Sequence, residues 1–244
     1  MTIVLFAIFG TFVGIVSGFF GIGGGSVVVP TLLMMGYDIK AAVGMSIMQM
    51  VLSSMFGSVM NYRAGKLELN EGIIVGIGGL VGASFSGFVV RNIPNIYLEI
   101  GLTLILFISI VKFFVAQPQA EKQIDSKLLL FIIGVFIGVV GVSMGIGGGV
   151  LLTPILVGFL GYDVKKAVSM GLFFVMFSSI SGFISMSLNG LVDYKYGFLL
   201  GVGSLVGVYF GVKMAHRVER GLQKKLLLAL YIILFVGMLS EILI

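Results

Sequence analysis

Cysteine and tryptophan are absent from this 244-residue chain, and histidine occurs once, at His216. Without cysteine there is no disulfide, no thiolate metal site and no thiol nucleophile. One histidine in a charged segment leaves little from which to build a serine–histidine–aspartate triad. Charge is scarce too: 10% of residues are Asp, Glu, Lys or Arg, 59% are hydrophobic, and the mean hydropathy is +1.20. That balance excludes a water-soluble domain. No Asp or Glu falls in the middle of an apolar run, since Glu99 and Glu241 lie near segment ends. Proton- and sodium-coupled carriers ordinarily keep a carboxylate at membrane depth. Coupling here therefore falls to the substrate's own protonation, to backbone carbonyls, or to nothing. Enzyme chemistry lacks its acids, bases and nucleophiles at depth for the same reason, and no metal or cofactor is expected.

What is present is apolar and rich in glycine. Apolar segments run over 3–35, 41–61, 72–90, 96–115, 128–160, 167–188, 196–214 and 226–243, and read as transmembrane helices. The 15 Lys and Arg against 10 Asp and Glu give a net charge of +5. These cations stand at segment ends, the pattern of cytoplasmic loops and not of a nucleic-acid face. The start of the chain has no basic region, so residues 3–20 are expected as mature structure and not as a cleaved signal. The 14 methionines are expected to pack, not to relay a soft metal.

Among the 37 glycines one group repeats. Gly21-Ile22-Gly23-Gly24-Gly25 returns as Gly145-Ile146-Gly147-Gly148-Gly149, each copy inside a long apolar run. Pro30 and Pro154 follow at the same distance, then Gly36-Tyr37-Asp38 and Gly161-Tyr162-Asp163, then Lys40 and Lys165. Ser53-Ser54 matches Ser178-Ser179, and Gly72, Gly76, Gly78 and Gly82 match Gly197, Gly201, Gly203 and Gly207. A duplication is expected: residues 1–116 as a first transmembrane repeat, 117–127 as a polar linker and 128–244 as a second repeat. The fold class is then an all-α polytopic membrane protein, each half a glycine-broken first helix plus three transmembrane helices.

Length bears on the broken helix. As one rod, residues 3–35 would reach roughly 50 Å, against a hydrocarbon core of about 30 Å. A break at Gly21–Gly25 leaves arms of roughly 27 Å and 16 Å, and the second arm is too short to cross. The segment is either a kinked, over-long span or a re-entrant hairpin. If all eight segments cross, Lys and Arg divide nine to six between the faces; if the first and fifth are re-entrant, only Lys40, Arg91 and Lys195 oppose the other twelve. The second division is the one the positive-inside bias favours, and it relates the halves by inverted topology. Both arrangements put both termini outside.

In the re-entrant arrangement short helices begin near Ser26 and Val150 and aim their N-termini at mid-membrane. Unpaired N–H groups and the helix dipole make such ends anion sites without a buried Lys or Arg. The expected substrate contacts are Gly23, Gly24, Gly25 and Ser26 in one half and Gly147, Gly148 and Gly149 in the other, with Ser53, Ser54, Ser178 and Ser179 completing the shell. Packing between helices is the alternative role for each glycine run and each serine. Gln49 is a weaker candidate because its counterpart is Phe174. Asp38 and Asp163 are expected to pair locally with Lys40 and Lys165.

The run Gly18-Phe19-Phe20-Gly21-Ile22-Gly23-Gly24-Gly25 followed by Val-Val-Val-Pro30, then Ala42-Val43-Gly44-Met45-Ser46, then Tyr62-Arg63-Ala64-Gly65-Lys66-Leu67-Glu68, resembles the TauE/SafE sulfite exporter family of bacterial and archaeal membrane proteins. The resemblance implies a plasma-membrane permease for sulfite, organosulfonates or other small sulfur-containing or carboxylate anions. Its partners would be that anion and the lipid bilayer, with a homo-oligomer left open. An anion-selective channel and a non-transport membrane scaffold are the competing classes. One departure stands out: Ser169-Met170-Gly171 replaces Gly44-Met45-Ser46, so a hydroxyl present in one half is missing from the other.

Overall fold

The computed structural model describes residues 2–67, 69–115, 123–124 and 126–243. Among them the regular structure is helical: α1 (Thr2–Phe20), α2 (Gly25–Met34), α3 (Ile39–Arg63), α4 (Leu69–Ala83), α5 (Ser86–Asn92), α6 (Asn95–Val115), α7 (Lys127–Ser143), α8 (Gly149–Gly158), α9 (Val164–Leu188), α10 (Tyr194–Arg217) and α11 (Arg220–Leu243). Ala116 and, of the linker, residues 117–122 and 125 lie outside the described residues. Among the described residues five stretches are long and apolar enough to cross a membrane: 39–63, 69–92, 164–188, 194–217 and 221–240. Ile8, Phe12, Phe88, Phe136, Leu188 and Phe198 are exposed on the outer surface, as lipid contact requires.

Both long apolar runs are broken, and each short helix begins one residue before the expected Ser26 or Val150. At ten residues, α2 and α8 reach only about 15 Å. Each broken pair also comes back to the end where it started. Phe6, early in α1, meets Tyr37, just after α2, with ring centroids 6.3 Å apart. Ile124, just before α7, donates its N–H to the Leu160 carbonyl, just after α8, at 3.0 Å. A kinked rod would hold those points a bundle's length apart; a hairpin closes them.

The two hairpins open at opposite ends of the bundle. Phe6 shares its end with Tyr196 at the start of α10, at 4.7 Å between rings. Lys40 lies there too and donates Nζ to the Arg91 carbonyl at 3.3 Å. At the far end Lys165 donates Nζ to the His216 carbonyl at 3.1 Å, and His216 Nε2 stands 3.0 Å from Asn61 Oδ1 near the end of α3. The Gly-Tyr-Asp-x-Lys motif is thus a helix start in both places. Asp38 accepts from the Lys40 N–H at 2.8 Å and Asp163 from the Lys165 N–H at 2.9 Å, capping α3 and α9. The lysine side chains, which local pairing would have held, instead reach carbonyls 51 residues onward and cap the C-terminal ends of α5 and α10.

Glycine stripes bring the halves together. Gly10, Gly14 and Gly18 of α1 lie on the backbone of Leu200, Ser204 and Val208 in α10, and Gly203, Gly207 and Gly211 lie on Ala7, Thr11 and Ile15. A Cβ at Gly18 would stand 2.8 Å from the Val208 carbonyl oxygen. The α4–α7 pair is built the same way: a Cβ at Gly138 would stand 2.6 Å from the Gly79 carbonyl oxygen. Backbones this near gain dispersion contact that lipid cannot replace. α1 therefore packs on α10, and α7 on α4.

One element departs from the sequence expectation. Residues 72–90 read as a single apolar segment, yet the helix is interrupted at Ser84-Phe85 between α4 and α5, whereas α10 runs unbroken. Ser84 turns its hydroxyl back to the Val81 carbonyl at 2.7 Å, and such back-bonding bends helices. Ser185 of α9 stitches the bend, donating to the Ser84 carbonyl at 2.7 Å and accepting from the Gly87 N–H at 3.0 Å.

Candidate functional site: the junction of two glycine breaks

Gly24 and Gly148 are the N-cap residues of α2 and α8, with φ of 89° and 81°. A residue with a Cβ is disfavoured in that left-handed conformation by about 1–2 kcal/mol, so glycine is what lets the chain reverse here. Neither cap carries a side-chain hydrogen bond. The amides of Gly25 and Ser26, and of Gly149 and Val150, precede the first intrahelical bonds, which start at Val27 and Leu151. Both helices thus present free N–H groups from fully buried backbone.

The two breaks touch. A Cβ on Gly25 would run into the Gly145 carbonyl, and one on Gly149 would stand 2.8 Å from the Gly21 carbonyl. Met50 of α3 and Val175 of α9 fill the seam between them. Met50 Sδ lies 2.9 Å from a Cβ position on Gly25, and Val175 Cγ2 lies 3.1 Å from the one on Gly149. Both side chains are fully buried, so the junction is closed as it stands.

The serines divide into two kinds. Ser53 donates to the Gly23 carbonyl at 3.3 Å and Ser178 to the Gly147 carbonyl at 3.1 Å, so both reach the breaks and hold their carbonyl side. Ser54 bonds the Met50 carbonyl of its own helix at 2.6 Å, and Ser179 bonds the Met176 carbonyl at 3.3 Å. Those two hydroxyls face their own helices and not the glycines. Ser26 is fully buried with no partner for its Oγ.

Three side chains at the junction lie outside the expected contacts, although the Ser46 hydroxyl already stands out in the sequence as one that the other half lacks. Ser46 donates to the Gly145 carbonyl at 2.7 Å across the seam, and Gly171 stands in its place in the other half, its Cβ position 2.9 Å from the Gly21 carbonyl. Met50 is one of many methionines and gave no local signal. Gln49 is fully buried, lies against Gly24, and has neither amide atom hydrogen-bonded. Its polarity inside an apolar run was the signal that could have raised it. The fully buried and nearly buried polar side chains described are Ser, Thr, Asn and Gln, with no charged group. Groups of three or more residues able to hold a metal ion are absent among the described residues.

Comparison with known proteins bears on the family of the chain. The family described as "Sulfite exporter TauE/SafE" matches residues 6–238. The chain is 27% identical over 212 residues to the "Probable membrane transporter protein YdhB" of Bacillus subtilis, covering 83% of this chain and 86% of that protein. It is 32% identical over 202 residues to the "Probable membrane transporter protein MJ0441" of Methanocaldococcus jannaschii, covering 79% and 75%. A 99-residue stretch is 35% identical to the "Sulfite exporter TauE/SafE family protein 5" of Arabidopsis thaliana, covering 39% of this chain and 22% of that one. No solved structure matches the chain.

Proposed function

The chain belongs to the sulfite exporter TauE/SafE family of membrane transporters, and from that premise we propose that it is a permease for a small anion. Sulfite, an organosulfonate or another sulfur-containing oxyanion is the substrate, and alternating access is the mode. The observation that carries this reading is the meeting of the α2 and α8 N-termini, with free amides, in a buried place that holds no cation. Each terminus carries roughly half an elementary charge. Two of them attract an anion while leaving it free to depart, which a buried lysine would hinder. The closed seam at Met50 and Val175 is an occluded state, opened by shifting α3 against α9.

The halves are inverted repeats in this reading, and the hairpins re-entrant. Its support is the pairing of equivalent features at opposite ends: Lys40 with the Arg91 carbonyl at one, Lys165 with the His216 carbonyl at the other. Charge supports an orientation. Lys40, Arg91 and Lys195 are at the first end; Arg63, Lys66, Lys165, Lys166, Lys213 and Arg217 are at the second. The positive-inside bias turns the second end to the cytoplasm of a prokaryotic cell and leaves the N-terminus outside.

Transport is tested by uptake of radiolabelled sulfite and methanesulfonate into liposomes carrying the purified protein. Saturable uptake that is lost in Gly24→Leu supports a permease; conductance that fails to saturate would make it a channel. Topology is tested separately, since every cysteine must be introduced. In intact cells an impermeant maleimide should label Arg91→Cys and reach Arg217→Cys only after permeabilisation. Labelling of both from outside contradicts the orientation.

A further inference from the structure

The two helix N-termini are not chemically alike, and the difference singles out one side chain. A Cβ on Gly24 would stand 3.1 Å from Gln49 Oε1 and 3.2 Å from Nε2, so the amide lies over the N-cap of α2. Gln49 is fully buried, and neither atom has a hydrogen-bond partner. Ser26, in the first turn of the same helix, is fully buried with an unpartnered hydroxyl. At the other break the surroundings correspond residue for residue. Val13 and Ile137 press on Gly24 and Gly148 from one side, while Gln49 and Phe174 press from the other. The Phe174 ring comes within 2.7 Å of the Cβ position on Gly148, and Val150 stands where Ser26 does. At its N-cap and first turn one short helix meets an amide and carries a hydroxyl, where the other meets a ring and carries a valine.

An unsatisfied primary amide in an interior is among the costlier features a fold can carry, and a methionine of the same length would avoid the cost. We propose that Gln49 is the specificity-determining residue of the anion site. The anion sits on the α2 side of the junction, against the amides of Gly25 and Ser26, the Ser26 hydroxyl and Gln49 Nε2, and Phe174 keeps it from the α8 side. The ligand class is the singly charged oxyanion. Every donor on that side is neutral, and one helix N-terminus offers roughly half a charge. Gln49 Oε1 also brings an acceptor into the site, which repels a second negative charge and accepts a hydrogen bond from a ligand that still carries a proton. This inference rests on the anion-permease reading above.

The experiment is titration calorimetry on the purified full-length protein in detergent, using methanesulfonate as the monoanion and sulfate as the dianion. The wild type should bind methanesulfonate at least tenfold more tightly than sulfate. Gln49→Met should weaken methanesulfonate by about ten- to a hundredfold, the loss expected of a hydrogen bond to a charged ligand, while its melting temperature holds or rises. Lys40→Met, at the end of the bundle away from the junction, should bind methanesulfonate as the wild type does. Undiminished binding by Gln49→Met overturns the assignment and leaves the anion site standing, as does a sulfate affinity equal to that for methanesulfonate. A lowered melting temperature in Gln49→Met, with binding lost, would make Gln49 a packing residue. Should Gln49→Met not fold, Gln49→Leu gives the same readout. A wild type that binds neither anion, nor sulfite, overturns the permease reading and this inference together.

Discussion

Gly24 and Gly148 occupy equivalent places in two hairpins that open at opposite ends, with the same left-handed backbone and the same absence of a side-chain cap. One faces the amide of Gln49, the other the ring of Phe174. Across the seam the Gly145 carbonyl accepts from Ser46, while the equivalent Gly21 carbonyl looks onto Gly171. The backbone of the junction has the same form in both breaks, whereas a side-chain amide lies over the Gly24 cap alone. In the proposed reading, geometry common to both supplies the two positive helix ends, and Gln49, present at one only, supplies discrimination.

That contrast can be attacked at several depths. The largest effect is expected from the backbone both halves share. Gly24→Leu and Gly148→Leu must each adopt a disfavoured φ and displace Val13 or Ile137, so uptake should fall at least a hundredfold in either, with the protein still extracted as a single species. Loss in one alone would show that the second break is not part of the site. Next comes Ser46→Ala, which leaves the buried Gly145 carbonyl without its donor. A destabilisation of about 1–3 kcal/mol is expected for that loss, measured as a fall in melting temperature. Gly171→Ser should not mirror the gain, because its Cβ would already crowd the Gly21 carbonyl at 2.9 Å.

Smaller effects sharpen the picture of the seam and the ends. Met50→Val and Val175→Met each alter the packing between the breaks, and the double exchange restores the volume. The pair should cost less than the sum of the singles, under about 1.5 kcal/mol, in a double-mutant cycle read by thermal melting. Smallest are the lysine caps. Lys165→Met, in the partly buried cap, should cost up to about 1 kcal/mol, and Lys40→Met, in the more exposed one, less. Equal costs would mean that the two ends are not differently solvated.

Much of this architecture was legible in the sequence because it is written in local chemistry. A glycine run in an apolar stretch marks a break, and the distance to the next polar residues limits the arm. The hairpin, anticipated from arm length and cation placement, is visible in Phe6–Tyr37 and Ile124–Leu160. What was hidden depends on partners distant in the chain. Ser46 and Gly145 are 99 residues apart, and the bend at Ser84 is held by Ser185, 101 residues on. Nothing near Ser54 or Ser179 tells that their hydroxyls turn to their own helices. Gln49 shows the limit of arguing from symmetry: comparison with Phe174 lowered its rank, yet its difference from Phe174 is what makes it informative.

Anomalous diffraction from crystals grown with iodomethanesulfonate addresses the central claim most directly. The iodine should locate one ligand at the glycine junction, its sulfonate oxygens within hydrogen-bond reach of the Gly25 and Ser26 amides. A ligand bound elsewhere, with the α2 and α8 N-termini still packed against each other and no oxyanion between them, would contradict it.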